Sequence, residues 1–468
     1  MIALVKRFFG CSTMVDKHQV VGEIPETRQA YKDVFALAWP SVVERVLVSM
    51  VSAVDTMMVG GLGPLAIASI GITQQPILIL LAIIFSLNVG VLSIVARRVG
   101  EKDFEAANKV VRQSILLIIV LSIILSIVGM IYSETVLIWM GATADVLPDA
   151  VTYLRIILCG FMFNAIGINI NSALRGAGNT KVSMRSNITA NLVNLVLNFI
   201  LIEGRFGAPA LGVAGAGIAT IIGQSIACLI SLSALFNKDA DLKISKGDSW
   251  KPEFGVLKNV IKISGGAFVD QICMRLGFLM YVRIVTSLGM MAYATHQICI
   301  IFSNFSYSVG EGFSIAASSL VGRNLGAKRP DLSIIYGKIT ERIGLAVSLI
   351  LCGIYFTFRE ELFALFTEDA EVLALGVTVM VIVSIANIFQ VPQTILSGAL
   401  RGAGDTKFIA KVALVSITIL RPICTYIYCY PLGLGLIGAW LAMMTDQFIR
   451  LMATYVRFSK GEWVKLRV

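Results

Sequence analysis

Charge is scarce in this chain, and that scarcity excludes a soluble domain. Asp, Glu, Lys and Arg make up 15% of 468 residues and hydrophobic residues 57%, whereas soluble domains carry about 25% charged residues. The mean hydropathy is +0.83. Histidine occurs only twice, and the eight cysteines are scattered, mostly within apolar runs, with no C-x-x-C pair. Neither a disulfide framework nor a zinc site is expected from such spacing. A paired nucleophile and base is also missing, which speaks against an intramembrane enzyme; no cofactor beyond a coupling ion is expected. Met1–Gly10 holds a basic pair but only a fragmentary apolar run with no small-residue cleavage site after it, and is not expected to act as a signal peptide.

What the chain has instead is long apolar runs. A bilayer needs about 20 apolar residues per helix. Such runs occupy about 32–59, 65–96, 113–132, 148–172, 184–203 and 211–236, then 257–288, 291–321, 335–357, 371–398, 408–430 and 434–457. Backbone groups in lipid must bond internally, and a β-barrel would alternate over short segments. The expectation is an all-α polytopic membrane protein with twelve transmembrane helices.

The chain also repeats itself. The decapeptide Ser172–Lys181, with ALRGAG at its centre, returns at Gly398–Lys407, 226 residues on. The same offset places Glu44 on Asp270, Leu62–Gly63 on Leu288–Gly289 and Val95–Arg97 on Val321–Arg323. Past about residue 200 the offset becomes 223, matching Gly215 to Gly438 and Gln224 to Gln447. Duplicated membrane chains are usually transporters. Six helices per copy give both copies one orientation, so two six-helix lobes are expected about a pseudo-two-fold axis along the membrane normal. The N-lobe spans 32–236 and the C-lobe 257–458, with an N-terminal segment 1–31, a linker 237–256 and a tail 459–468.

A net charge of +10 raises the question of nucleic acid, but its distribution answers against it. Lys and Arg gather in alternate connections: Lys6 and Arg7, Arg97 to Arg112, Arg175 to Arg185, Lys238 to Lys262, with Lys246 among them, and so on to Arg467. The opposite connections hold only Arg205 and Arg359, beside acids such as Glu134, Asp145, Glu360 and Glu361. The positive-inside rule then puts both termini in the cytoplasm, with the protein, expected to be a monomer, in the plasma membrane.

Ionisable residues inside the runs are few. Each costs about 2.5–3.5 kcal/mol at the bilayer centre, so each needs a partner, a cavity or a function. Glu44 and Asp55 lie 11 residues apart on the first run, nearly the same helix face. They either line one cavity, or Glu44 pairs locally with an Arg while Asp55 sits near the outer interface, close to Gly60–Gly61. Pro40, one turn earlier, is a candidate hinge. Asp270 holds the repeat position of Glu44, and Arg275 and Arg283 follow on its own run, placed to neutralise it. His296 is a candidate proton carrier, or else satisfies a neighbouring carbonyl. Glu311 has no acidic repeat counterpart. Asn187, Asn191, Asn194 and Asn198 form one polar stripe, serving either to hold helices together or to offer neutral oxygens to a cation. The second copy has Arg421–Cys424 in that region, so a coupling site is expected in the first. Gly212, Gly215 and Gly217 read as close helix packing rather than a dinucleotide turn. Arg175–Lys181 reads as a sharp turn with its cations in water rather than a phosphate loop.

From about residue 32 to 458 the chain resembles the multidrug and toxic compound extrusion (MATE) family. The likeness is carried by Ala53–Gly63, Ala173–Lys181 with its repeat, Ala292–Ile298, Ser319–Ala327, and Asn194–Asn198 ahead of Phe206–Gly212. It implies secondary active efflux of organic cations and amphipathic compounds by alternating access, driven by inward Na+ or H+. It implies a cation-coupling set of Asp55, Asn194, Asn198 and Thr220, with Na+ a candidate ion at Asp55, Asn194 and Asn198, and a bend at Pro40. Glu44, Asp270, Arg283, His296, Glu311 and Gln390 form the candidate substrate or second-lobe polar set. Two departures stand out: Asn198 replaces an Asp of some relatives, and Gln390 stands where another branch has an Asp. A lipid or lipid-linked oligosaccharide flippase of the same superfamily is the alternative, kept open by Arg45, Arg275 and Arg283.

Overall fold

The computed structural model describes residues 10–237, 240–245, 247–367 and 369–466. Lys6, Arg7, Lys238, Lys246 and Arg467 lie outside the described residues. Among the described residues there is no strand, and twelve long helices follow one another. They are α1 (Thr27–Gly60), α2 (Pro64–Gly100), α3 (Phe104–Trp139), α4 (Leu147–Gly176), α5 (Thr180–Leu201) and α6 (Gly212–Ala234), then α7 (Phe254–Ser287), α8 (Met290–Gly326), α9 (Pro330–Thr357), α10 (Ala370–Gly402), α11 (Thr406–Cys429) and α12 (Gly435–Lys460). Each apolar run falls on one helix. Among the described residues, eight helices are long and apolar enough to cross a membrane by length and composition. The other four, α5, α7, α8 and α12, carry the Asn stripe, Asp270, His296, Glu311 and Asp446, polar groups that lower the apolar signal of the helices that hold them.

The chain divides into two compact units, Val43–Lys262, and Met1–Val42 with Ile263–Val468. Against the lobes expected at 32–236 and 257–458, the divisions fall inside α1 and α7. α1 runs through Pro40 without interruption, although the pyrrolidine ring removes one backbone hydrogen bond there, and the division follows two residues later. Within the first unit α4 packs on α2, α3 and α6, and α5 packs on α6; within the second, α10 packs on α8, α9 and α12, and α11 on α12. The duplication in sequence is thus a duplication of packing.

The repeated ALRGAG segment explains part of that packing. A Cβ built at Gly176 would stand 2.7 Å from the Leu92 carbonyl oxygen, and one built at Gly402 would stand 2.1 Å from that of Ser318. Only glycine lets α4 approach α2, and α10 approach α8, this closely. Two residues on, Gly178 and Gly404 turn the chain with φ of +86° and +87°, a left-handed conformation that disfavours any side chain. At Gly215 a Cβ would stand 2.6 Å from the Leu201 carbonyl oxygen, in agreement with the close packing expected of this glycine. Gly402→Ala should force α8 and α10 apart at a cost of about 1–3 kcal/mol. The measurement is the melting temperature of the purified protein in detergent, and no drop would mean that this crossing is loosely held.

One helix is irregular. Leu414–Leu420 in α11 winds as a π-helix immediately before Arg421 and Pro422.

Candidate functional site

The first unit holds a carboxylate surrounded by amides. Asp55, half-buried on α1, accepts a hydrogen bond from Asn198 Nδ2 of α5 at 2.9 Å. The amide of Asn194, oriented to satisfy its hydrogen bonds, donates to both carboxylate oxygens at 3.1 and 3.2 Å. Its oxygen then accepts from the Thr220 backbone N–H at 3.1 Å and hydroxyl at 3.3 Å on α6. Tyr153 of α4 bonds the Thr220 side chain. Asn198 Oδ1 is buried and has no hydrogen-bond partner among the described residues. The structure therefore brings together Asp55, Asn194, Asn198 and Thr220, and adds Tyr153, which nothing in the sequence singled out.

The same face of α1 carries Glu44. It accepts from Asn187 Nδ2 of α5 at 2.8 Å and from Ser183 Oγ at 3.4 Å. Asn187 to Glu44 and Asn198 to Asp55 span identical intervals of 143 residues. Eleven residues on α1 thus match eleven on α5, so the two helices run in parallel register. The Asn stripe is a ladder whose ends hold the two carboxylates.

The strongest partner of Glu44 is Arg175 of the ALRGAG segment. In the second unit Arg401, the same residue of the repeat, donates to Asp270 Oδ2 at 2.6 Å. Both pairs span 131 residues. This corrects two expectations. Arg175 does not stay in water, being 9% exposed, although Lys181 does. Arg275 and Arg283, expected to neutralise Asp270, are exposed instead, and the neutralising cation comes from α10. Where Glu44 has Ser183 and Asn187 as well, the repeat positions are Ile409 and Ala413, apolar residues on the wall beside Asp270. Arg175→Leu should cost about 3–5 kcal/mol by stranding the buried Glu44 charge, and the double change with Glu44→Gln should recover most of it. Thermal unfolding of the four variants of the cycle checks this; equal losses in single and double variants would show the pair to be uncoupled.

Elsewhere in the second unit, Arg421 and Arg450 both bind Asp446, which also accepts from Ser416 Oγ at 2.5 Å. Gln390 accepts from Ser303 at 3.3 Å. Glu311 stands near enough to act electrostatically on Arg401. His296 corrects another expectation: it bonds no carbonyl among the described residues. Its ring packs instead between Tyr281 and Trp440, with centroids 5.4 and 5.6 Å away.

Comparison with known proteins gives the same picture at the level of the whole chain. The sequence profile of the family described as MatE matches twice, over residues 40–200 and 267–427. A probable multidrug resistance protein NorM of Thermotoga maritima is 28% identical over 452 residues, covering 95% of each chain. The multidrug resistance protein MdtK of Yersinia enterocolitica is 26% identical over 446 residues, 92% of this chain and 91% of that one. A solved outward-facing structure of a multidrug resistance MATE family transporter superposes with a TM-score of 0.86 at 21% identity, covering 92% of this chain and 97% of that one. At that identity it is the fold that is shared.

Proposed function

The chain belongs to the MatE family, a family of membrane transporters, and from that premise we propose that it is a multidrug efflux antiporter. It exports organic cations or amphipathic compounds in exchange for Na+ or H+ by alternating access. Its basic connections favour cytoplasmic termini.

The observation that carries this reading is the chemistry around Asp55. Glu44, Asp270 and Asp446 each hold an Arg, whereas the amides of Asn194 and Asn198 that bond Asp55 are neutral. A carboxylate already neutralised by a guanidinium gains little from a mobile cation. One held by amide dipoles in a low-dielectric setting gains a great deal. The donor set fits a hard cation, because the Asp55 oxygens and the unpartnered Asn198 Oδ1 are oxygen ligands of the kind such ions take. Protonation would satisfy the same carboxylate, with Asn194 and Asn198 left to bond the neutral acid. Either ion removes the charge of Asp55, and that change in charge is what biases the conformational equilibrium. Coupling then follows from linkage: a substrate that prefers the ion-free state promotes ion release, and the ion promotes substrate release.

The test is efflux of a fluorescent organic cation from vesicles under Na+ and H+ gradients imposed separately. One of the two gradients drives efflux if the reading holds. If neither does, the antiporter reading fails.

A further inference from the structure

We propose that the second compact unit carries a binding site for the anionic head of an amphipathic molecule. The site is a cavity of about 380 Å³ among α7, α8, α10, α11 and α12, within the size range of small-molecule pockets. Three guanidiniums line it, those of Arg275, Arg421 and Arg450, and among its described lining residues there is no carboxylate.

The charge balance argues for an anion. Arg421 and Arg450 are 5% and 7% exposed and share one carboxylate, that of Asp446, which is fully buried and off the cavity wall. Asp270, next door, is taken by Arg401. Asp270 also acts on Arg450, and Glu311 on Arg401, but neither acid stands on this wall, so the guanidiniums face the cavity without an anion beside them, a place that an anionic ligand would complete. Two buried polar atoms on the wall also have no hydrogen-bond partner among the described residues, Arg450 Nε and Gln447 Oε1. A guanidinium edge offers parallel donors that match carboxylate, sulfonate or phosphate oxygens, while Gln447 Oε1 is free to accept from an O–H or N–H of the same ligand.

The rest of the ligand is apolar. Met274, Phe278 and Met443 share the cavity, and thioether side chains adapt to ligands of varied shape. A purely cationic molecule would face three guanidiniums here, so the occupant is an anion or a zwitterion with an apolar body. Binding at this site does not depend on the antiport cycle; that the occupant is exported rests on the transport reading above.

The experiment uses the full chain in nanodiscs of phosphatidylcholine, titrated by fluorescence with three probes that share one apolar body: dansylglycine, its neutral amide, and dansylcadaverine, a cation. Dansylglycine should bind about tenfold tighter than the amide, with the cation weakest. Arg275→Gln should remove most of that preference. Arg275 is exposed and pairs with no carboxylate among the described residues, so this variant keeps the fold. Arg450→Gln should do the same, its folding checked by melting temperature. Equal binding of carboxylate and amide would overturn the proposal, as would an unchanged preference in the folded Arg275→Gln protein. Repeating the titration with phosphatidylglycerol in the disc separates the sources of the anion: competition identifies a lipid head group, and its absence a free small molecule. Both outcomes support the site. Anion-selective binding without gradient-driven efflux would sink the antiporter reading and leave the site standing.

Discussion

Asp55→Asn is expected to abolish gradient-driven efflux while leaving the fold intact. The carboxylate has amides as its neighbours, with Asn198 Nδ2 at 2.9 Å and Asn194 within 3.2 Å, and its removal strands no guanidinium. An asparagine of the same shape can join the amide network, so the stability change should stay near about 1 kcal/mol, at the mild end for a partly buried site. What it cannot do is change charge. With no group to neutralise, the conformational equilibrium loses its dependence on the ion, and coupled transport falls to background rather than merely slowing. Substrate binding in the other unit should persist. The measurements are vesicle efflux under whichever gradient drives the wild type, and the melting temperature of the same preparation. Full coupled transport by a folded Asp55→Asn protein would strip Asp55 of its assigned role.

Asp446→Asn should have the largest effect on stability. Asp446 is fully buried and pairs with both Arg421 and Arg450. Removing its charge leaves two buried guanidiniums facing each other, and breaking a single buried pair already costs about 3–5 kcal/mol. Asp270→Asn should cost less, because Arg401 is more exposed, with 26% of its side chain accessible, and a partly solvated cation recovers hydration. The comparison is made by thermal unfolding in one detergent, where the Asp446 variant should melt clearly below the Asp270 variant. The reverse order would mean that the shared carboxylate is dispensable.

Much of the fold was legible because lipid imposes a simple rule on sequence. Twelve apolar runs gave twelve helices. Their ends were less legible, since hydropathy marks where lipid stops and not where hydrogen bonding stops: α2 continues from the run ending near residue 96 to Gly100, and α3 begins at Phe104 although its run starts near 113. The Asn stripe was visible as a period of three and four. Its register against Glu44 and Asp55 was implicit in the equal spacing of eleven residues on α1 and α5. The partners of the buried acids were not found, because Arg175 and Arg401 sit in segments whose glycines and lysines read as a solvated turn. Yet the duplication held the signal: acid and Arg recur together at the same separation in both copies. Nothing comparable marks Asp446 and Arg421, which lack repeat counterparts and meet only through tertiary packing.

The wide winding of α11 bears on more than local geometry. A π-helical stretch takes more residues per turn than the α-helix it interrupts. Leu414–Leu420 therefore turn everything beyond them by roughly 100° relative to a regular helix, about one residue's worth of rotation. In a regular α11 the guanidinium of Arg421 would point along another face and Asp446 would be left to Arg450 alone, a balanced pair. The presence of a third guanidinium on that wall is thus set by a phase shift in the backbone as much as by the choice of side chain. Shortening the stretch by one residue would turn Arg421 off that wall, leaving Arg275 and Arg450, without altering a single charged group.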